Sequence, residues 1–376
     1  MEKMSRKKAL NTVFTVVIIG IFLTFSLLFA LTAMLTPDLS ISDSYFGGGE
    51  VKTSIFSPYD DACLKNKSFY KLINEYEYRA FHNISDRRII CGSDGFLFNA
   101  GTNESGYNYI DDYTGKITLS EEQLDRFHKY IEMRSRAYEN FGGKYVLAVI
   151  PNAQTVYSEC MPSYLGGMSN NTMLRQISAY LEKQSFEGFV DLSDDMIKGK
   201  QYGQLYNNTE NTVNAMGAYV AYSGILEHVT EIYGEDVDIL DGDYFKLQTR
   251  ITDGKALAKH VGLDSIIKNK TIYISNSNEL IYTLVELFGD FETTYTKYEH
   301  KENVSDLTVL VECACEWDKV QLMPYFSSTF FRASYRITHK YNRSAVINSV
   351  PDVVVQVIRE DELFTILNEY LVSSYN

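Results

Sequence analysis

The sequence is short of positive charge. Lysine and arginine number 35 against 49 aspartates and glutamates in 376 residues, a formal net charge of -14. That balance argues against a nucleic-acid partner, which needs a basic face to displace counterions from phosphates, and it fits poorly with holding an anionic polymer by charge alone. Cysteine is scarce too. Cys63, Cys91, Cys160, Cys313 and Cys315 are scattered and odd in number, which excludes a disulfide framework and leaves room for at most two bridges. Cys313 and Cys315 make a CxC pair without the second ligand pair of a structural zinc site. The six histidines, His82, His128, His228, His260, His300 and His339, show no metal-ligand spacing, so neither a metal nor another cofactor is expected. Internal repeats and low-complexity tracts are absent.

What is there is a core-forming chain. Apolar residues make up 45% and charged residues 22%, enough to bury one large core or two small ones. The 29 tyrosines and 21 phenylalanines read first as an aromatic core with a few wet edges. Near the start, Lys3, Arg6, Lys7 and Lys8 precede an uncharged run from Ala9 to Pro37 whose apolar heart is Val13 to Leu35. A bilayer needs about 20 such residues. The expected organisation is therefore a cytoplasmic N-terminus (1–12), an uncleaved single-pass transmembrane anchor (13–35), a juxtamembrane linker and helix (36–86) and an extracytoplasmic domain (87–376) at the cell membrane, since the positive flank stays inside.

After residue 87 the pattern alternates between strand and helix. RIICGSDGFLF (Arg88 to Phe98) reads as two short strands around a turn. Ser120 to Asn140 reads as a helix with Ser120 as its N-cap. KYVLAVI and VPDVVVQVIRE have the continuous apolar character of buried parallel strands, DLTVLVE reads as another, and DELFTILNEYLV is a terminal helix. The stretch Leu205 to Tyr222, LYNNTENTVNAMGAYVAY, is a polar loop feeding a helix capped by Asn214, with Ala215, Ala218, Tyr219 and Tyr222 on one face. Just before the cap stand Glu210 and Thr212, of which only Glu210 can move a proton near neutral pH.

Four of these stretches, in order, resemble the SGNH-hydrolase-like domains of the alginate O-acetylation (DHHW) family: GSDGFLF at Gly92 to Phe98, PNAQTVYSECMP at Pro151 to Pro162, TENTVNAMGAY at Thr209 to Tyr219, and ECACEWDKVQLMPYFS at Glu312 to Ser327. PDVVVQVIRE is similar to the family's closing strand. The resemblance implies an α/β, three-layer fold with a mainly parallel sheet, and acyl-transfer chemistry by a Ser-His-Asp triad. Placed on this sequence, the family's Asp, His and Ser positions fall on Glu210, Thr212 and Trp317, and its loop tryptophan on Val213. A shift of register places Glu316 or Cys315 at the nucleophile. Asn152, Tyr206, Asn214 and Tyr325 are the expected binding residues, with Tyr206, Trp317 and Tyr325 available to stack on sugar rings.

The resemblance thus implies an inactive binding or scaffolding component of cell-surface polysaccharide O-acetylation, with a membrane-bound O-acyltransferase and a polysaccharide as partners. The rival expectation is a working O-acetyltransferase or esterase with relocated catalytic residues, such as His260 or Ser327.

Overall fold

A computed structural model describes Gly20, Thr24 and residues 67–234, 237–277, 279–280, 282–288, 295–299, 305–337 and 350–370. The Val13 to Leu35 run expected to cross the membrane lies outside these apart from Gly20 and Thr24, as do Cys63, His300 and His339. Among the described residues no helix is long and apolar enough to cross a membrane.

Helix α1 (Lys67–Phe81) comes first, followed by strands β1 (Ile89–Cys91) and β2 (Leu97–Asn99), which pair antiparallel across the Gly-Ser-Asp-Gly turn. Asp94 in that turn has φ 55°, the left-handed region that short polar side chains tolerate best after glycine. Asn108 caps α2 (Tyr109–Tyr113) by accepting from two backbone amides. Helix α3 (Glu121–Glu139) starts at a full capping box, in which Ser120 accepts from the Gln123 amide and the Gln123 side chain from the Ser120 amide. Two orphan donors of the first turn are satisfied by this exchange.

The central elements follow in chain order: β3 (Lys144–Ile150), α4 (Ala153–Val156), α5 (Met173–Lys183), β4 (Phe189–Asp191), α6 (Ser193–Gly199) and α7 (Ala215–Tyr233). A separate hairpin, β5 (Leu247–Asp253) and β6 (Lys268–Ile274), encloses α8 (Ala256–His260). Then come β7 (Thr283–Phe288), β8 (Tyr295–Glu299), β9 (Ser305–Cys313), α9 (Glu316–Thr329), β10 (Phe330–Ile337), β11 (Val353–Arg359) and α10 (Glu362–Thr365).

The main sheet has the order β4-β3-β11-β9-β10-β8-β7. Its first five strands run parallel, and β8 and β7 extend it antiparallel. Side chains alternate across a strand, and the core divides accordingly. Val146, Ala148 and Ile150 of β3 and Val353, Val355 and Val357 of β11 face a cluster completed by α6, α7 and α9. Tyr145, Leu147 and Val149, with Val354 and Ile358, face a second cluster completed by α3, α5 and α10. Helices on both faces explain why these strands are apolar throughout. A third, smaller cluster joins Ile89, Cys91 and Leu97 of the first hairpin to Ala258, Val261 and Leu263 around α8.

One ionic group is built into this core. Glu312 of β9 receives Arg336 of β10 at 2.7 Å, Arg134 of α3 at 2.5 Å and the Tyr138 hydroxyl at 2.9 Å. All four side chains are buried. A carboxylate shared by two guanidiniums fixes α3 against the sheet and the β9-β10 register, because any other register strands a buried charge.

Candidate functional site

The site is assembled at the carboxyl ends of β3, β9 and β11, where ligands gather in open α/β sheets. Its centre is the loop from Leu205 to Asn214, closed on itself by a bridge between Tyr206 and Val213. The loop is tied to its surroundings at each point the sequence singled out. Asn208 Nδ2 donates to the Gly95 carbonyl at 2.8 Å, and the Asn99 amide donates to Asn211 Oδ1 at 2.9 Å, which docks the loop on the Gly-Ser-Asp-Gly hairpin. The Leu205 amide donates to the Tyr157 hydroxyl at 2.9 Å and the Tyr206 hydroxyl to the Pro151 carbonyl at 2.5 Å, which joins it to the loop after β3. Trp317 Nε1 donates to the Val213 carbonyl at 3.3 Å, which joins it to the start of α9. All four stretches that carry the family resemblance meet here.

Asn214 explains why α7 starts where it does. Its Oδ1 accepts from the Gly217 amide at 3.1 Å while its Nδ2 donates to the Gln204 carbonyl at 2.7 Å, so one side chain caps the helix and holds the loop. Gly217 is needed for the same junction, since a Cβ there would lie 2.2 Å from the Leu205 carbonyl oxygen.

The three family positions stand within one run of contacts. Thr212 Oγ1 lies 3.2 Å from Glu210 Oε2 and accepts from Asn207 Nδ2 at 2.9 Å, and the next residue, Val213, takes the Trp317 hydrogen bond. Thr212 thus occupies its hydroxyl in local bonds and supplies no base, and Trp317 supplies no nucleophile. Glu316 begins α9 and pairs with Lys319 at 2.9 Å. Cys315 is the N-cap residue of α9, with its Sγ 3.1 Å from Asp318 Oδ2. Burial first, and then the Asp318 charge, push its thiol up to about 12. It stays a thiol at neutral pH, and a thiol is a poor nucleophile.

The expected binding residues are corrected in part. Tyr206 is 2% exposed and Tyr325 0%; the Tyr325 hydroxyl donates to the Ala215 carbonyl at 2.5 Å. Neither ring offers a face to a sugar, because both hydroxyls are used to seat the loop and α7. Trp317, 42% exposed, is left of the three. Asn152 donates its amide nitrogen to the Tyr107 hydroxyl at 3.0 Å, and Asn214 is buried as a cap. Among the described residues His260 and Ser327 are not brought together. His260 lies 3.3 Å from Asp86, and Ser327 is buried against the Tyr335 hydroxyl at 2.8 Å. His228 bonds the Glu187 carbonyl, and His82 and His128 lie against aromatic rings. Among the described residues no histidine is hydrogen-bonded to a serine, threonine or cysteine side chain.

A charged group that reaches α9 through Asp318 went unread in the sequence. Arg359, the last residue of β11, is 3.2 Å from Glu362, 3.7 Å from Asp361 and 4.0 Å from Asp318. The Tyr109 hydroxyl donates to Asp361 at 2.7 Å. Burial pushes the Glu362 carboxyl up to about 8 and raises Asp318 as well, while Arg359 opposes both. Glu360 next to them is fully buried, accepts from the Asn152 amide and Thr155, and is pushed up to about 8 by burial and then by the Asp112 charge. The signal was available: Arg359-Glu360-Asp361-Glu362 is a run of four charges that starts at the last residue of a buried parallel strand, where solvated loops are not the only use for charge.

No protein-family model and no curated protein matches the chain. Solved structures do. Bacillus cereus PatB1, solved with a sulfonyl adduct, is 13% identical with a TM-score of 0.50, covering 73% of this chain and 97% of its own. The O-acetyltransferase domain of Pseudomonas putida AlgJ is 17% identical with a TM-score of 0.45, covering 73% and 92%. A DHHW family protein from Eubacterium siraeum is 12% identical with a TM-score of 0.47, covering 75% and 96%. The likeness to PatB1 across nearly all of that chain shows that this chain shares its α/β fold, here with a sheet whose first five strands are parallel.

Proposed function

We propose that the chain is a membrane-anchored, extracytoplasmic binding or scaffolding component of cell-surface polysaccharide O-acetylation that performs no acyl transfer itself. The observation that carries this reading is the Thr212-Val213-Trp317 contact. The indole N–H bonds the carbonyl of Val213, the neighbour of Thr212, which supports reading Trp317 and Thr212 as the nucleophile and base positions, and neither residue has the necessary group. Loss of a triad's serine and histidine costs on the order of a millionfold in rate where it has been measured. The Val13 to Leu35 run supplies the anchor, a membrane-bound O-acyltransferase is the partner, and a surface glycan occupies the old cleft.

The test is turnover by the purified full chain on acetyl esters and on an acetylated glycan, with and without an acceptor. No rate above the buffer control is expected. Turnover that disappears in Glu210→Gln or Cys315→Ser would overturn the inactive assignment.

A further inference from the structure

The charge around Trp317 limits what the cleft can hold. Trp317 is pinned by its Nε1 bond to Val213 and remains 42% exposed, and Val320, one turn further along α9, is 45% exposed. Together they form an apolar step on an otherwise polar rim. An indole held by its N–H at one edge keeps its ring face fixed, which is the arrangement that stacks on the C–H face of a sugar with little ordering cost.

The charged groups on the elements that meet here are mostly acidic. The loop side offers Glu210; α9 offers Glu316, Asp318 and Lys319; the end of β11 and α10 offer Arg359, Asp361 and Glu362. Lys319 is already matched by Glu316, and Arg359 by Glu362 and Asp361. Hairpin β5-β6 also touches the loop, but it turns Asn269 toward Thr209, at 2.8 Å, so Lys268 and Lys270 point to the other side. Lys255 meets the loop with its backbone amide, which donates to Thr209 Oγ1 at 2.9 Å. Even without counting the buried Asp318 and Glu362, Glu210, Glu316 and Asp361 outnumber Lys319 and Arg359.

From this geometry we infer that the Trp317 step binds a glycan without carboxylate groups, either uncharged or carrying free amines, and rejects polyuronates. A uronate seated on Trp317 would find Lys319 and Arg359 already paired and would add its own charge to Glu210, Glu316 and Asp361, an unfavourable juxtaposition that a neutral ring avoids. This rests on the glycan-binding reading above and sharpens it to a substrate class.

Trp317 is the sole tryptophan of the sequence, so its fluorescence reports this site alone. The full chain in detergent is titrated with cellohexaose, glucosamine hexamer and galacturonate hexamer. The first two are expected to change the emission, the third to bind at least tenfold more weakly, and calorimetry on Trp317→Ala to show loss of the first two. Glu316→Gln, which frees Lys319, is expected to improve galacturonate binding several-fold. Galacturonate bound as tightly as cellohexaose, with a change in Trp317 emission, would overturn this inference and leave the glycan reading standing. So would binding of the neutral hexamer that Trp317→Ala leaves intact. If none of the three perturbs Trp317 or gives heat on mixing, glycan binding itself is wrong.

Discussion

Cys315 shows how much a few ångströms decide. It sits at a helix N-terminus, a position that ordinarily favours the thiolate, yet burial and the carboxylate of Asp318 at 3.1 Å hold it as a thiol with its pKa at about 12. Alkylation of Cys315 by iodoacetamide at pH 8, followed by peptide mass spectrometry, is therefore expected to be slower than for a free cysteine by on the order of a thousandfold. Asp318→Asn, which removes the second cause, is expected to speed it; an unchanged rate would show that burial alone controls the thiol. Glu312 is the other residue on which much depends. Glu312→Gln leaves Arg134 and Arg336 buried without their shared carboxylate and is expected to cost about 3–5 kcal/mol in urea unfolding. At this scale the sequence was readable only where chemistry is local. That Thr212 cannot serve as a base could be seen from its letter. Whether Tyr206 and Tyr325 stack on ligand or seal the core could not, because the answer is the Pro151 and Ala215 carbonyls, distant in sequence, that their hydroxyls reach.

Among the elements, α7 and the loop before it act as one piece. Asn214→Ala removes both the helix cap and the tie to Gln204, and it is expected to destabilise the fold by about 1–2 kcal/mol. Gly217→Ala is expected to do worse, since the Leu205 carbonyl must move to admit the methyl group. Faster amide exchange confined to residues 204–217 would distinguish that local opening from general unfolding. Most elements were legible because burial writes itself into sequence: β3, β9 and β11 are continuous apolar runs, and α3 carries its capping box. The edge hairpin β7-β8 and strand β10 were not, since charged and polar residues such as Lys297, Arg332 and Arg336 interrupt their apolar patterns. Arg336 is inside a strand only because Glu312 of the neighbouring strand receives it.

For the molecule as a whole, buried acids couple stability to pH. Glu360 and Glu362 ordinarily titrate at 4.5 and are pushed to about 8 in the folded chain. The folded state therefore holds these protons more tightly than the unfolded state across that window. Their contribution to stability is whole below about pH 4.5, declines as pH rises toward 8 and is gone above it. Urea midpoints measured from pH 5 to pH 9 are expected to carry this downward component, and Glu360→Gln to flatten it; identical slopes in the two proteins would refute the assignment.

The strand order of the main sheet reaches beyond the finished molecule. Strand β11, the last of the described strands in chain order, is placed between β3 and β9, at the middle of the parallel sheet. Synthesis must reach Arg359 before the two halves of the sheet have anything to join them, and the pairing with β3 closes a separation of about two hundred residues. Such long-range closure is slow. During translation the earlier strands wait with their central apolar edges uncovered, so the nascent chain is a natural client for holding chaperones, and a premature stop upstream of Val353 removes the keystone of the sheet and leaves a product fit only for proteolysis.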